Sequence, residues 1–260
     1  MDKKMLRSLF CILLLVSILT VSLTPLTEAA EKNKPKTLDN DPKLAGWWKF
    51  DESSGKTAAD SSKHNRKGEL KGNLFFERNS TEGKTGKALK FGSRIDYIEI
   101  TNYKGITGTK PRTVAAWIKT ENDDGEIISW GEDDAGKMFT FRFIRGRLGI
   151  TPNGGYYYMN EPVDDNKWHH VAVVVKEAEL PNLHDDVVLY KDGVIAEVHD
   201  IGLLDLWPVD TGSDMDVRIG RRFQGILDDI RIYDRALSDQ EVMALSKLQS
   251  DRPLPKSEEE

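Results

Sequence analysis

The sequence predicts an all-β chain: a two-sheet antiparallel sandwich with a short C-terminal helix. Three observations carry this. Short alternating segments recur along the chain, glycine-containing turns separate them, and a helical start signal comes late, at Ser238. The 260 residues are 38% hydrophobic and 31% charged, which suits one globular domain, and no internal repeat is seen.

The N-terminus sets the expected compartment. Lys3, Lys4 and Arg7 precede a nearly unbroken apolar run from Leu9 to Leu23, and Thr27-Glu28-Ala29 forms a small-x-small site. Residues 1–29 therefore read as a signal peptide cleaved after Ala29, with secretion or periplasmic export as the consequence. An uncleaved anchor is the alternative, and the one route by which this chain would meet a membrane. The single cysteine, Cys11, lies in this leader, so the mature chain is expected to have no disulfide and no cysteine metal site. Formal net charge is −6. That sign argues against nucleic acid or an anionic membrane surface as partner.

Residues 30–43 (AEKNKPKTLDNDPK) read as a polar linker and 249–260 as a disordered polar tail, neither contributing to the core; the domain is expected over 44–248. Residues 44–50 (LAGWWKF) form the first strand. The 51–55 and 60–62 stretches are turns in which Asp and Ser bond their own backbone. Strands follow at 86–91, 97–100 and 112–120, the last with Val114, Ala116 and Ile118 opposed to Ala115 and Trp117. Residues 126–130, 139–144 and 148–151 continue the pattern, with Arg145-Gly146 or Gly146-Arg147 as a hairpin turn. Asn153-Gly154-Gly155 is a turn that delivers Tyr156, Tyr157 and Tyr158. Residues 168–176 (WHHVAVVVK) form a strand, 187–191 and 194–198 flank the tight Asp192-Gly193 hairpin, and 217–220 lead into the closing segment.

In that segment Ile226, Asp228, Ile230 and Ile232 alternate with Leu227, Asp229, Arg231 and Tyr233. The isoleucines should face the core, and Asp228 with them, where a carboxylate is costly unless it meets a cation, an arginine or backbone amides. Asp234 and Arg235 suit a turn. Ser238 and Glu241 form a capping box that starts a helix with Val242, Leu245 and Leu248 on one stripe.

This closing run resembles that of laminin-G-like and pentraxin-like jelly rolls in the concanavalin A-like lectin and glucanase superfamily; Gly225, Ile226, Asp228, Asp229, Arg231, Tyr233, Arg235, Ala236, Leu237 and Ser238 match. The Trp-His-His-Val-Ala run at 168–172 is similar to the same domains. So is the opening, through Trp48, Phe50, Asp51, Glu52, Ser54, Gly55, Ala59, Asp60, Ser61 and Ser62, although Lys63 stands where a glycine is usual. The resemblance covers about residues 44–248. It implies a jelly roll, and an exported, non-catalytic module that binds glycan or an extracellular or periplasmic protein through loops or the concave sheet face. A glycoside hydrolase, or a structural or adhesion protein without glycan binding, are the alternatives. It also implies structural calcium with Asp228 as ligand; Asp60 is added here as a second carboxylate.

Other chemistry is weighed against these expectations. The glycanase motif resembles Glu-x-Asp-x-x-Glu, whereas between Glu126 and Glu132 the central positions are Ile128 and Ser129. Residues 120–131 half-resemble an EF-hand loop but begin with Thr120 and end with Gly131, so the decisive charges are missing. His169 and His170 are strand neighbours on opposite faces and cannot share an ion; one is expected packed and the other solvated. Tyr156, Tyr158, Trp207 and Trp130 are the candidate ligand-binding residues, because aromatic faces near polar groups stack on sugars. Trp47, Trp48, Trp117 and Trp168 are expected in the packing.

Overall fold

The computed structural model describes residues 37–199 and 207–247. The expected signal peptide, residues 30–36 of the linker, Leu248 and the tail lie outside the described residues. In chain order the strands are β1 Leu44–Trp48, β2 Thr57–Ala58, β3 Gly68–Lys71, β4 Ser80–Glu82, β5 Lys87–Phe91, β6 Tyr97–Ile100, β7 Arg112–Lys119, β8 Glu126–Gly131 and β9 Met138–Ile144. They continue as β10 Arg147–Thr151, β11 Tyr157–Met159, β12 His169–Val175, β13 Val187–Lys191, β14 Val194–Ile195, β15 Val198–His199, β16 Met215–Ile219 and β17 Gly225–Tyr233. Helices are α1 Phe76–Asn79, α2 Leu183–Asp186 and α3 Asp239–Lys247.

Two antiparallel sheets form the sandwich. One has eight strands in the order β14-β13-β12-β7-β17-β5-β4, with β1 also beside β17; the other has nine, β15-β11-β10-β9-β8-β16-β6-β3-β2. Alternation places Val114, Ala116 and Ile118 of β7 and Val171, Val173 and Val175 of β12 in the space between the sheets. There they join Trp130, Phe139, Phe141 and Phe143 in one buried cluster. The opposite parity builds a second cluster outside the eight-stranded sheet, where Trp47, Ala115, Ala172, Tyr190 and Tyr233 pack with Val242 and Leu245 of α3. The capping box forms as expected: the Ser238 N–H donates to Glu241 Oε2 at 2.8 Å and the Glu241 N–H to Ser238 Oγ at 3.3 Å.

Two hairpins follow their turn chemistry. Arg145-Gly146 and Asp192-Gly193 take φ of 52° and 77°, and of 53° and 81°, the double left-handed conformation that matches strand twist in a two-residue turn.

The closing strand departs from simple alternation. Along β17 the pairing with β7 shifts register between Asp228 and Arg231, and Asp229 sits at φ 51°. This bulge reverses the parity of the strand's first half. Leu227, Ile230 and Ile232 therefore share the inter-sheet core, while Ile226 is half-buried. The expectation that Asp228 points inward beside the isoleucines is corrected. It is fully buried nonetheless, and Oδ2 accepts the Thr85 N–H at 3.0 Å.

Two further expectations change. Part of the linker joins the fold: Leu38–Asn40 forms a 3-10 turn, Leu38 packs on the outer cluster, and Asp39 and Asp41 pair with Arg231 and Arg235. The histidines are both buried, at 8% and 2% exposure, because the outer face that would have solvated one of them is covered. His170 lies edge-on to Trp117 with ring centres 5.3 Å apart, and burial lowers its pKa to about 4. His169 is held between Asp192 (2.8 Å from Nδ1) and Asp165 (3.0 Å from Nε2).

Two predictions follow from this geometry. Leu227→Ala should cost roughly 2–5 kcal/mol in urea unfolding and Ile226→Ala roughly 1 kcal/mol or less, the reverse of what unbroken alternation would give. The second concerns pH. The hydrogen bond to Asp192, opposed by burial and helped by Asp165, raises His169 above its ordinary 6.5. A raised folded pKa means that the stabilisation is complete below about 6.5 and is lost as pH rises through the folded value. The penalty of His169→Asn should therefore be larger at about pH 5.5 than at about pH 8.5; a penalty growing with pH would contradict the two ion pairs.

Candidate functional site

The outer face of the nine-stranded sheet is polar because its alternate residues are spent on the core. Phe139, Phe141 and Phe143 of β9 point between the sheets, which turns Thr140 and Arg142 outward. Register then assembles two rows across the strands. Glu69, Glu99, Arg218, Ser129, Thr140 and Thr151 lie in one; Glu126, Arg142, Gly149 and Tyr158 lie in the other. A register shift between Glu126 and Ile128 brings Glu126 and Ser129 together, and the Ser129 hydroxyl donates to Glu126 Oε2 at 2.6 Å. Arg221 Nε lies 3.5 Å from Glu126 Oε1, and Arg218 Nε 3.5 Å from Glu99 Oε1.

Beside these rows Asp124 collects guanidinium groups: Arg94 at 2.7 Å, Arg142 at 3.7 Å and Arg222 at 4.0 Å. Burial opposes its ionisation, but the Gly125 N–H and these arginines outweigh it and hold the carboxyl below its ordinary range.

The 153–155 turn brings three of the four expected aromatics to one end of this sheet. Tyr157 and Met159 point into the core, so Tyr158 points out, where it pairs across β10 with Gly149. A β-carbon on Gly149 would lie 2.6 Å from Tyr158 Cβ, so glycine is required for the tyrosine to lie there. Tyr156 stacks on Tyr158, with ring centres 5.9 Å apart and planes 16° from parallel, and Arg145 lies 5.2 Å over the Tyr156 ring. The Tyr156 hydroxyl has no hydrogen-bond partner among the described residues. Trp207, 48% exposed, rests on the same turn; a β-carbon on Gly154 would come 2.6 Å from its Cδ1.

Trp130 is corrected. It is 1% exposed, stacks on Phe139 at 4.2 Å between ring centres, and donates its indole N–H to the Ile106 carbonyl at 3.1 Å. It packs the core and offers no face to a ligand.

The two expected calcium carboxylates stand in different surroundings. Asp60 accepts four hydrogen bonds, from the Trp47 and Ser62 N–H groups on Oδ1 and from the Ser62 hydroxyl and Arg66 N–H on Oδ2, at 2.7–3.0 Å. Asp228 meets the Thr85 N–H, and Gly83 comes so close that a β-carbon there would lie 2.7 Å from Oδ2. A hard cation needs a shell of oxygens, whereas Asp60 is ringed by donors. The pair does not fit a calcium site. Among the described residues, no group of three or more His, Cys, Asp or Glu is arranged to hold a metal.

Sequence reasoning missed Arg142, Arg218, Glu126 and Ser129 as neighbours on one face. They meet only through the register of strands far apart in the chain, which alternation within each strand does not reveal.

Comparison with known proteins follows the same architecture. The family model of the concanavalin A-like lectin/glucanases superfamily matches residues 92–243. Among solved structures, the chain is similar to domain 4 of AbnA, a GH43 extracellular arabinanase from Geobacillus stearothermophilus, in complex with arabinotriose. The identity is 19% and the TM-score 0.57, over 79% of this chain and 98% of that one. The binding domain of Paraclostridial Mosquitocidal Protein 1 aligns at 17% identity and TM-score 0.54, over 78% of this chain. The botulinum neurotoxin serotype G binding domain aligns at 14% and 0.52, again over 78%. The chain spans about half of these two, 52% and 50%. These likenesses show the fold. No curated protein sequence matches the chain. With a matched segment that takes in β6 through most of α3, the chain belongs to the concanavalin A-like lectin/glucanases superfamily.

Proposed function

We propose that this protein is an exported, non-catalytic module that holds a carbohydrate at the end of the nine-stranded sheet, with Tyr156 and Trp207 supplying the apolar surfaces and Tyr158, only 8% exposed, backing the Tyr156 ring. The observation that carries this reading is the stacked tyrosine pair, whose Tyr156 hydroxyl has no partner among the described residues, on the turn that also bears the exposed indole of Trp207. Sugars bind through such a combination: C–H faces on aromatic rings, hydroxyls on oriented polar groups. Arg142, in the same row as Tyr158, provides a polar group on that face. Support from outside the chain is the complex of domain 4 of the arabinanase with arabinotriose, a domain of the same fold. Export rests on the leader at residues 1–29.

Binding without catalysis fits the state of Glu126. It is 5% exposed and already engaged by Ser129 and Arg221, where a retaining mechanism needs a second carboxyl about 5 Å away.

A glycan array that includes arabinan oligosaccharides tests the reading. Tyr156→Ala and Trp207→Ala should each weaken the best ligand about tenfold, near 1.4 kcal/mol, with no reducing ends released by the unmodified protein. An affinity in both variants unchanged from that of the unmodified protein would remove this site, and turnover would restore the hydrolase reading.

For Asp60 we propose a loop-organising role in place of a cation. Asp60→Ala should cost roughly 2 kcal/mol in urea unfolding, and calcium in excess over chelator should leave the melting temperature of the unmodified protein unchanged.

A further inference from the structure

A cleft lined by none of the tyrosine-turn residues lies elsewhere in the fold. Pro42, Lys43 and Ala45 around the start of β1, the loop that carries His64 and Arg66, the β6–β7 connection and Asp234 enclose this cleft of about 350 Å³. Its charged lining is Lys43, Arg66 and Lys110 against one acid, Asp234, with His64 at the same wall. Net positive charge concentrated in one cleft is unexpected in a chain of formal charge −6.

Arg66 is built into place and is no waving surface cation. Its backbone is held at both ends: the N–H donates to Asp60 Oδ2 at 2.7 Å and the carbonyl accepts the Trp48 indole N–H at 2.8 Å. Its guanidinium lies 3.9 Å over the Tyr103 ring and donates one Nη1 bond to the Ala45 carbonyl. No carboxylate pairs with Arg66 or with Lys110 among the described residues, and Lys43 reaches Asp234 only at 3.9 Å. The fork geometry of the remaining guanidinium N–H groups suits an oxyanion.

The second observation is Tyr103. It lines the cleft, is 7% exposed, and its hydroxyl has no partner among the described residues. An unmatched buried hydroxyl is destabilising, and this one belongs to the ring that the Arg66 guanidinium covers. Burial holds this phenol far above its ordinary range, so it remains protonated, and burial first, then Arg66 and Lys63, lowers the His64 pKa.

We propose that this cleft binds a small polar molecule carrying an oxyanion, either a carboxylate or a sulfate ester, with Arg66 and Lys110 meeting the charge and the Tyr103 hydroxyl donating to it. Lys43 and Asp234 form the polar rim. The inference does not rest on the tyrosine-turn site, and failure of either leaves the other standing.

Calorimetric titration of the full chain with glucuronate, glucose 6-sulfate and glucose tests it. One or both charged probes should bind with Kd below about 1 mM at low salt, glucose should not, and raising salt about tenfold should weaken binding several-fold. The probe that binds identifies the oxyanion. The double variant Lys43→Glu/Lys110→Glu, both positions exposed, should lose at least about tenfold in affinity without a change in melting temperature. Tyr103→Phe should weaken binding while leaving the ligand-free protein as stable or more so, which a purely structural role for the hydroxyl would not produce. Tyr156→Ala should leave it unaltered. The proposal is overturned if neither charged probe binds, if glucose binds equally well, or if the double variant binds like the unmodified protein.

Discussion

The bulge at Asp228–Asp229 is the constraint on which the rest of the sandwich depends. β17 is bordered by β7 along its length, but on its other side it pairs with β5 over its first residues and with β1 over its last. At that changeover Asp229 takes a left-handed conformation and turns its carboxylate outward, where it accepts the Trp47 indole N–H and the Arg231 Nε–H. Arg231 in turn lies 4.0 Å over the Trp47 ring and reaches Asp39. One carboxylate thus joins the first strand, the last strand and the turn ahead of them. Removing one member of such a buried pair costs about 3–5 kcal/mol, because the charge left behind keeps its desolvation penalty.

The same bulge marks where the sequence stops being legible. Period-two alternation located β7, β12 and most of β17, and paired turn residues located both tight hairpins, because each is a local property of a few neighbouring residues. The capping box at Ser238 was readable for the same reason. A bulge has no such signature when the extra residue is an aspartate and not a glycine, so Leu227 and Asp228 were assigned to the wrong faces. The short strands β2, β3 and β4 went unrecognised. Two to four residues carry too little pattern, and their pairing is dictated by partners well separated in sequence.

Candidate site residues divide along the same line. The Gly-Gly turn, a local cue, put Tyr156 and Tyr158 on one face, and the structure stacks them; Trp207 was visible through the acidic residues near it. Trp130 was misread since a tryptophan beside an acidic loop looks alike whether it packs inward or projects. Nothing in the neighbouring sequence of Trp130 announces that Ile106, 24 residues away, offers its carbonyl to the indole. The polar rows of the nine-stranded sheet, and the basic cleft with its fixed arginine, arise from tertiary registration alone.

The clasp made by the two late arginines bears on where the folding unit begins. Arg231 holds Asp39, and Arg235 holds both Asp41 and Glu241, so the six residues ahead of Leu44 supply counter-charges and a cover for the outer apolar cluster. A polypeptide started at the first strand would keep every strand of both sheets, yet would leave a nearly inaccessible guanidinium short of one acid and bare the layer that Leu38 shields. Among the described residues the folding unit therefore takes in Leu38–Asp41, ahead of any β-structure, and not the strands alone.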